Sequence, residues 1–384
     1  MKSFLSLLIC FLFSLSAFAE KLTEVKIGLA SNFSEVSTGS SNPYGGYFKD
    51  GVTLALSDSE ARLKAKGITV KTQDFDYGAS DIKVLAATRR AIESNVLAVI
   101  GYNYSSNALL AAPLHQKAKL PMLTPSASAN RLGQFGRYIH MGSIDNSFMG
   151  EILARTARNK LKARKAILLP AVNCAYCSDL AESFTHQFQK LGGTISASFP
   201  VLEDDKDFSS IADQLKNLDF DVVLVPNQEL TSSRLIAAMV KAGISKPFVG
   251  ADGWGNIGKE FFGILGGASF SGYSTSHWHP DLKDEKSRKF VDAYRKRFSK
   301  LPNDSSVLAY DATLLLVDAL IEAKALTSEG LEESLNAMKT FKGVTGQFLL
   351  SPNRAPEKSI VLLKTGNQKF QIVETIHPQK PGSL

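Results

Sequence analysis

Beyond its first nineteen residues this 384-residue chain has no apolar run approaching the roughly 18 uninterrupted residues of a membrane helix, so no later segment is read as a bilayer anchor. It has no Gly-x-Ser-x-Gly elbow, and its candidate serines lack a sequence-level base, which removes Ser/His/Asp hydrolysis. A glycine-rich dinucleotide loop is missing as well, since Gly28 alone is no fingerprint. The formal net charge of +7 falls by one to +6 without Lys2, and its basic residues are scattered. No basic block is interleaved with aromatics, so nucleic acid is not an expected partner. The densest run, Arg288 to Lys300, has the spacing of a helix's polar face. Low-complexity linkers and short internal repeats are also lacking.

Cysteine is scarce. Of three in the chain, Cys10 lies in the leading apolar run, which leaves Cys174 and Cys177 as Cys-Ala-Tyr-Cys. In an oxidising compartment this pair is expected as a local disulfide. It stands after a strand-like run and before a helix-like one, where a thiol oxidoreductase carries its reactive pair, so that activity stays as an alternative. One pair of thiols is only half a tetrahedral zinc shell, and no metal is expected. His277-Trp278-His279 offers none either, because alternate residues on a strand point to opposite faces, and a surface position near a crossover is expected.

The N-terminus has the marks of a cleaved secretory signal over residues 1–19. Lys2 supplies the positive start, Phe4 to Leu15 the apolar run, and Ala17-Phe18-Ala19 the cleavage site before Glu20. Cys10 sits among apolar residues, which argues against a lipid anchor. The remainder is therefore predicted to be exported to the periplasm as a soluble protein. At roughly 365 residues it is long enough for two domains with proper cores.

Short apolar runs alternate with amphipathic helical stretches, the pattern of an α/β protein with mainly parallel sheets. One β/α set runs from Val25 to Met141 and a second from Asn146 to Gly250. Extra helices and strands then return, which predicts two lobes whose chain passes between them more than once. Crossings are placed near Gly142–Asn146, Ser274–Pro280 and Thr345–Pro352.

Ligands of open α/β sheets bind at the carboxyl ends of strands. In the first set those ends are Asn103-Tyr104-Ser105-Ser106 and Thr124-Pro125-Ser126-Ala127-Ser128. Each presents hydroxyls, and Ser105 or Ser106 is placed to cap a helix whose first N–H groups favour an anion. In the second set the ends are Asn173 to Tyr176, Asn227-Gln228 and Ala251-Asp252-Gly253-Trp254. Hydroxyls on one lobe with a carboxylate and an aromatic on the other suit a zwitterion. Asp252 would face its ammonium, and Tyr176 or Trp254 would cover its side chain.

Val25-Lys26-Ile27-Gly28-Leu29-Ala30, Ala98-Val99-Ile100-Gly101 with Ser105-Ser106, Thr124 to Ser128, Tyr176 leading into a helix, Lys206-Asp207-Phe208 and Gly250-Ala251-Asp252-Gly253 occur in an order and spacing that go together. With them the chain resembles the type I periplasmic binding proteins of ABC transporters, in the leucine/isoleucine/valine-binding group. The resemblance implies two doubly wound lobes joined by a three-crossover hinge, with residues 20–143 and 276–347 in the N-terminal lobe and 144–275 and 348–384 in the C-terminal lobe. It implies ligand contacts from Ser105, Ser128 and the Ser126 backbone, an ammonium partner in Asp252, and a covering Tyr176 with Tyr44 lining the pocket. Gln228 stands where relatives often have an aromatic, and Trp254 and the cysteines around Tyr176 are further departures. The implied protein is no enzyme and needs no cofactor. It captures a small amino acid, carboxylate or amide as a monomer and delivers it to an ABC permease in the membrane. The alternative partner is a signalling receptor that uses the same bilobed module as a sensor.

Overall fold

The structure, a computed structural model, describes residues 22–34, 44–78, 80–255, 259–352 and 355–378; the expected signal segment lies outside them. Its first β/α set begins with β1 (Thr23–Ser31), α1 (Tyr44–Lys64), β2 (Ile68–Asp76), α2 (Asp81–Ile92) and β3 (Ala98–Gly101). It continues with α3 (Ser105–Ala118), β4 (Met122–Thr124) and β5 (Ile139–Met141). These strands form a parallel sheet in the order β2-β1-β3-β4-β5. All of β3 and β4 is buried, because a parallel sheet is covered on both faces and its strands read as continuous apolar runs.

The second set contains α4 (Asn146–Asn159), β6 (Lys165–Leu168), α5 (Ala175–Lys190), β7 (Thr194–Ser198), α6 (Ser209–Leu215) and β8 (Val222–Leu224). Then come α7 (Glu229–Lys241), β9 (Phe248–Gly250), a 3-10 turn over Asp252–Trp254, α8 (Lys259–Leu265) and β10 (Gly272–Ser276). The chain returns through α9 (Glu285–Phe298), α10 (Asp304–Glu322), α11 (Ser328–Ala337) and the ribbon of β11 (Thr340–Gly343) and β12 (Gly346–Leu349). It closes with β13 (Ile360–Gly366) and β14 (Lys369–Ile376), antiparallel additions to a seven-stranded sheet ordered β14-β13-β10-β9-β8-β6-β7. The architecture is the expected mainly parallel α/β one, and three chain segments connect the two sheet systems, between β5 and α4, after β10, and after β12.

Strand β10 is missing from the sequence reading for a physical reason. Gly-Tyr-Ser-Thr-Ser has no apolar run and no apolar alternation, yet it sits between β9 and β13 and is almost wholly buried. The neighbouring strands take its backbone groups, and its Ser276 hydroxyl bonds to Asp304 and to the Trp278 carbonyl. The returning α10 is apolar nearly all round and packs against α1 under the first sheet. The approach is so close that a Cβ on Gly51 would lie 2.1 Å from the Ser306 carbonyl oxygen. That explains a glycine in the middle of a helix, where it otherwise costs stability.

Two of the connecting segments carry specific polar anchors. Asp145 caps α4, accepting from the Phe148 N–H at 3.2 Å, a contact worth about 1 kcal/mol. Further on, the buried Lys358 donates to Thr345 Oγ1 at 2.6 Å, and that hydroxyl donates to Asp311 Oδ2 at 2.7 Å. Asp311 on α10 also accepts from the N–H groups of Val344 and Thr345.

Candidate functional site

The end of β3 turns sharply. Gly101 takes φ +151°, a conformation that an L side chain rarely adopts, and a Cβ there would meet the Ala30 carbonyl oxygen at 2.0 Å. The turn delivers Ser105 and Ser106 as the first two residues of α3. Neither serine caps the helix, contrary to the sequence expectation: the cap position is Tyr104, without a side-chain bond. Both hydroxyls are turned to other chain segments instead. Ser105 Oγ accepts from the Ser128 N–H at 3.2 Å, and Ser106 Oγ accepts from the Ala175 N–H at 3.1 Å, at the start of α5.

The end of β4 meets these groups. The Ser126 hydroxyl donates to the Asn103 carbonyl at 2.9 Å, holding the two strand ends together. The buried Ser128 donates to Asn146 Oδ1 at 2.8 Å, and the Asn146 amide reaches the Tyr176 carbonyl at 3.5 Å. Tyr176 in turn donates its phenol to Asp252 Oδ1 at 2.9 Å and accepts from the Gly253 N–H at 3.1 Å. A run of polar side chains therefore passes from the first sheet's strand ends to the second's. Burial pushes the Tyr176 phenol well above its ordinary value, with the Asp252 charge adding to the effect, so the hydroxyl stays protonated and donates.

The other Asp252 oxygen lies 3.2 Å from His277 Nε2. His277 is not the surface residue expected: its side chain is fully buried just past β10, and His279 is buried too. The register brings it there, since Ser274 of β10 pairs with Gly250 of β9, two residues before Asp252. Asp304, first residue of α10, is buried with a hydrogen bond at 2.8 Å from the hydroxyl of Ser276, the residue before His277. Burial and, less strongly, the Asp252 charge push its carboxyl well up, against that hydrogen bond.

Trp254 requires a correction. It is fully buried, donates its indole N–H to the Val225 carbonyl at 2.8 Å, and stacks on Phe261 with ring centroids 5.4 Å apart. It belongs to the core of the second sheet and is no lid over the cleft. Gln228 is partly buried at the N-cap of α7, its backbone N–H donating to Glu203 Oε1 at 2.9 Å. Tyr44 is the first residue of α1, and its side chain lies outside the described residues. Cys174 and Cys177 lie side by side with Cα atoms 5.2 Å apart, and Cys174 Sγ accepts from the Cys177 N–H at the start of α5. Glu203 joins them, its carboxyl pushed up by burial.

Asn146, His277 and Asp304 escape a sequence reading. Asn146 opens α4 and looks like an ordinary helix start; only its complete burial marks it. His277 reaches Asp252 through the pairing of β10 with β9, and Asp304 is joined to the end of β10 by the Ser276 hydroxyl.

The sequence profile described as periplasmic binding protein matches residues 24–369. The chain is 23% identical over 330 residues to the leucine-, isoleucine-, valine-, threonine- and alanine-binding protein of Pseudomonas aeruginosa, covering 84% of this chain and 85% of that one. Among solved structures, the leucine-binding protein LivK of Thermotoga maritima superposes with a TM-score of 0.84 at 25% identity, over 92% of this chain and 99% of that one. LivJ of Streptococcus pneumoniae, the branched-chain amino acid transporter substrate-binding protein solved with isoleucine, gives 0.82 at 27%, over 93% and 100%. This chain accordingly belongs to the periplasmic binding protein family, as an extracytoplasmic solute-binding protein of ABC transporters and not an enzyme.

Proposed function

We propose that the cleft between the two sheet systems holds an α-amino acid, with its carboxylate at the α3 start beside Ser105 and Ser128 and its ammonium on Asp252. The observation that carries this reading is the run Ser105–Ser128–Asn146–Tyr176–Asp252, which ties a donor-rich end to a single carboxylate across the cleft. The donors suit an anion, because the first N–H groups of a helix have no partner inside it. Asp252 suits a cation. Gln228 would bound the ligand's side chain. Relatives named for leucine, isoleucine and valine support the class of ligand. The lobes are taken as residues 20–143 with 276–347 and 144–275 with 348–384, the signal as residues 1–19, and the loaded monomer as delivered to a permease.

One observation favours a second reading. Both Asp252 oxygens already have neighbours in the chain, Tyr176 and His277, so a carboxylic acid without an ammonium would leave no buried charge wholly unmatched. A thermal-shift screen of ligand-stripped protein against the twenty amino acids and simple carboxylic acids decides between the two. A ligand at 100 times its Kd adds about 2.7 kcal/mol of stability, a plain upward shift. Shifts confined to α-amino acids are the expected result, and shifts confined to simple acids would refute the ammonium contact.

The cysteine pair is proposed as a disulfide that stiffens the loop presenting Ala175 and Tyr176, since their Cα separation suits a bridge. With the sulfurs so used, Glu203 is left alone and the cluster holds no metal. Titration of the unfolded, unreduced chain beginning at Glu20 is expected to find no free thiol; two free thiols would refute the bridge.

A further inference from the structure

We propose that His277 sets the charge of the Asp252 end of the cleft and so makes ligand affinity depend on pH, with a sign fixed by the ligand's own charge. This rests on the proposed placement of the ligand against Asp252. His277 has no exposed side-chain surface, and neither ring nitrogen makes a hydrogen bond of acceptable geometry. Nε2 nonetheless lies 3.2 Å from Asp252 Oδ2, close to the carboxylate but not aligned with it. An imidazole in this position has one obvious response to a proton, which is to become the cation of an Asp252 ion pair. Histidine is the side chain whose charge ordinarily changes between pH 5 and 8.

The groups around the pair leave that charge unopposed. Tyr176, from α5, is a neutral donor to Asp252. Asp304, from α10, has its carboxyl pushed well up and accepts from Ser276. Lys358, from the third connection, is bonded to Thr345 and acts on Asp304 and Asp311. His279 lies two residues on, 3.9 Å from the exposed Asp281, and burial pushes its imidazole down. Asp252 is thus the one carboxylate within ion-pair distance of His277 among the described residues.

The consequence follows from charge balance. A ligand ammonium on Asp252 competes with the imidazolium, so binding of a zwitterion releases the proton, and affinity falls as the pH falls. A simple carboxylate brings only negative charge; its binding favours the imidazolium and takes up a proton, so affinity rises as the pH falls. One linked proton changes affinity by up to about tenfold per pH unit below the titration.

The test is calorimetric Kd for L-leucine and for benzoate at pH 8.0 and pH 5.5, with wild-type protein, His277→Gln and His277→Asn. Gln keeps an N–H near the position of Nε2 without titrating. The expected result is leucine affinity at least about fivefold weaker at pH 5.5 in the wild type and flat in a folded variant. A wild-type profile that is itself flat overturns the inference while leaving the amino-acid reading intact, and so does a slope that persists in either variant. Benzoate binding that tightens at pH 5.5 only when His277 is present supports the inference, and the same result with no leucine binding at either pH refutes the ammonium contact. If neither probe binds at either pH, the placement of the ligand and the inference built on it fall together.

Discussion

Replacing Asp252 with asparagine is expected to weaken binding of an α-amino acid by roughly 10- to 150-fold. A hydrogen bond to a charged group contributes about 1.5–3 kcal/mol, and each 1.4 kcal/mol is a factor of ten in Kd. The amide keeps the carboxylate's shape and still accepts from the Tyr176 phenol, so the variant removes charge while keeping packing. What is lost is the partner of a desolvated ammonium, because Asp252 is mostly buried, with its side chain 16% exposed. Calorimetric titration with the best amino acid of the screen measures the effect, and an unchanged thermal midpoint without ligand shows that the fold is intact. For a ligand lacking an ammonium the same substitution removes a repulsive charge and leaves affinity equal or higher. A variant with unweakened amino-acid affinity would therefore remove the zwitterion placement. The expected effect of His277 differs in kind, since it is a slope with pH and not a loss at all pH values.

The parts of this molecule legible from sequence are those that local pattern dictates. Strands β3, β4 and β8 are short apolar runs, and a strand buried on both faces has to be one. Ser105, Ser128 and Asp252 lie within four residues of the end of such a run, and Tyr176 lies in the first turn of the helix after β6, so knowing where a sheet ends is enough to nominate them. Trp254 shows where that reasoning stops. A tryptophan two residues past Asp252 follows the same strand end whether it turns into the cleft or into the core, and the space above Gly250 decides. A Cβ on that glycine would lie 2.1 Å from the indole, so the ring fills the room a side chain at residue 250 would need. His277 was hidden for the opposite reason. The strand it follows has no apolar pattern, and its neighbour Asp252 comes from a different strand end, 25 residues earlier. Such a site depends on sheet order and on the returning chain, neither of which a local pattern contains.

The second large effect is expected at Lys358. Its substitution by methionine should lower stability by about 3–5 kcal/mol, the usual result of removing one partner of a buried charge pair. Lys358 is 1% exposed and reaches Asp311 through the Thr345 hydroxyl, with Nζ 4.5 Å from the centre of the Phe348 ring. Methionine fills similar space, so the loss reads the buried amino group and its hydrogen bond to Thr345, and not a cavity. At 2–4 °C per kcal/mol for domains of this size, the thermal midpoint should drop on the order of 10 °C. Asp311→Asn in the Lys358→Met background should cost less than the sum of the two single changes, because the stranded carboxylate is then gone. The pH dependence has a definite sign. Burial pushes the Lys358 ammonium down to about 8, opposed by the charges of Asp311 and Asp304, from an ordinary value of 10.5. Between those values the folded chain holds fewer protons than the unfolded one, so this group's contribution to stability rises as the pH is raised from 8 towards 10.5. The gap in midpoint between wild type and Lys358→Met should accordingly widen from pH 8 to pH 10. A gap that narrows, or a drop of under 2 °C at pH 8, would mean that the third connection is held by its backbone and apolar contacts, and that the Lys358–Thr345–Asp311 relay is incidental to it.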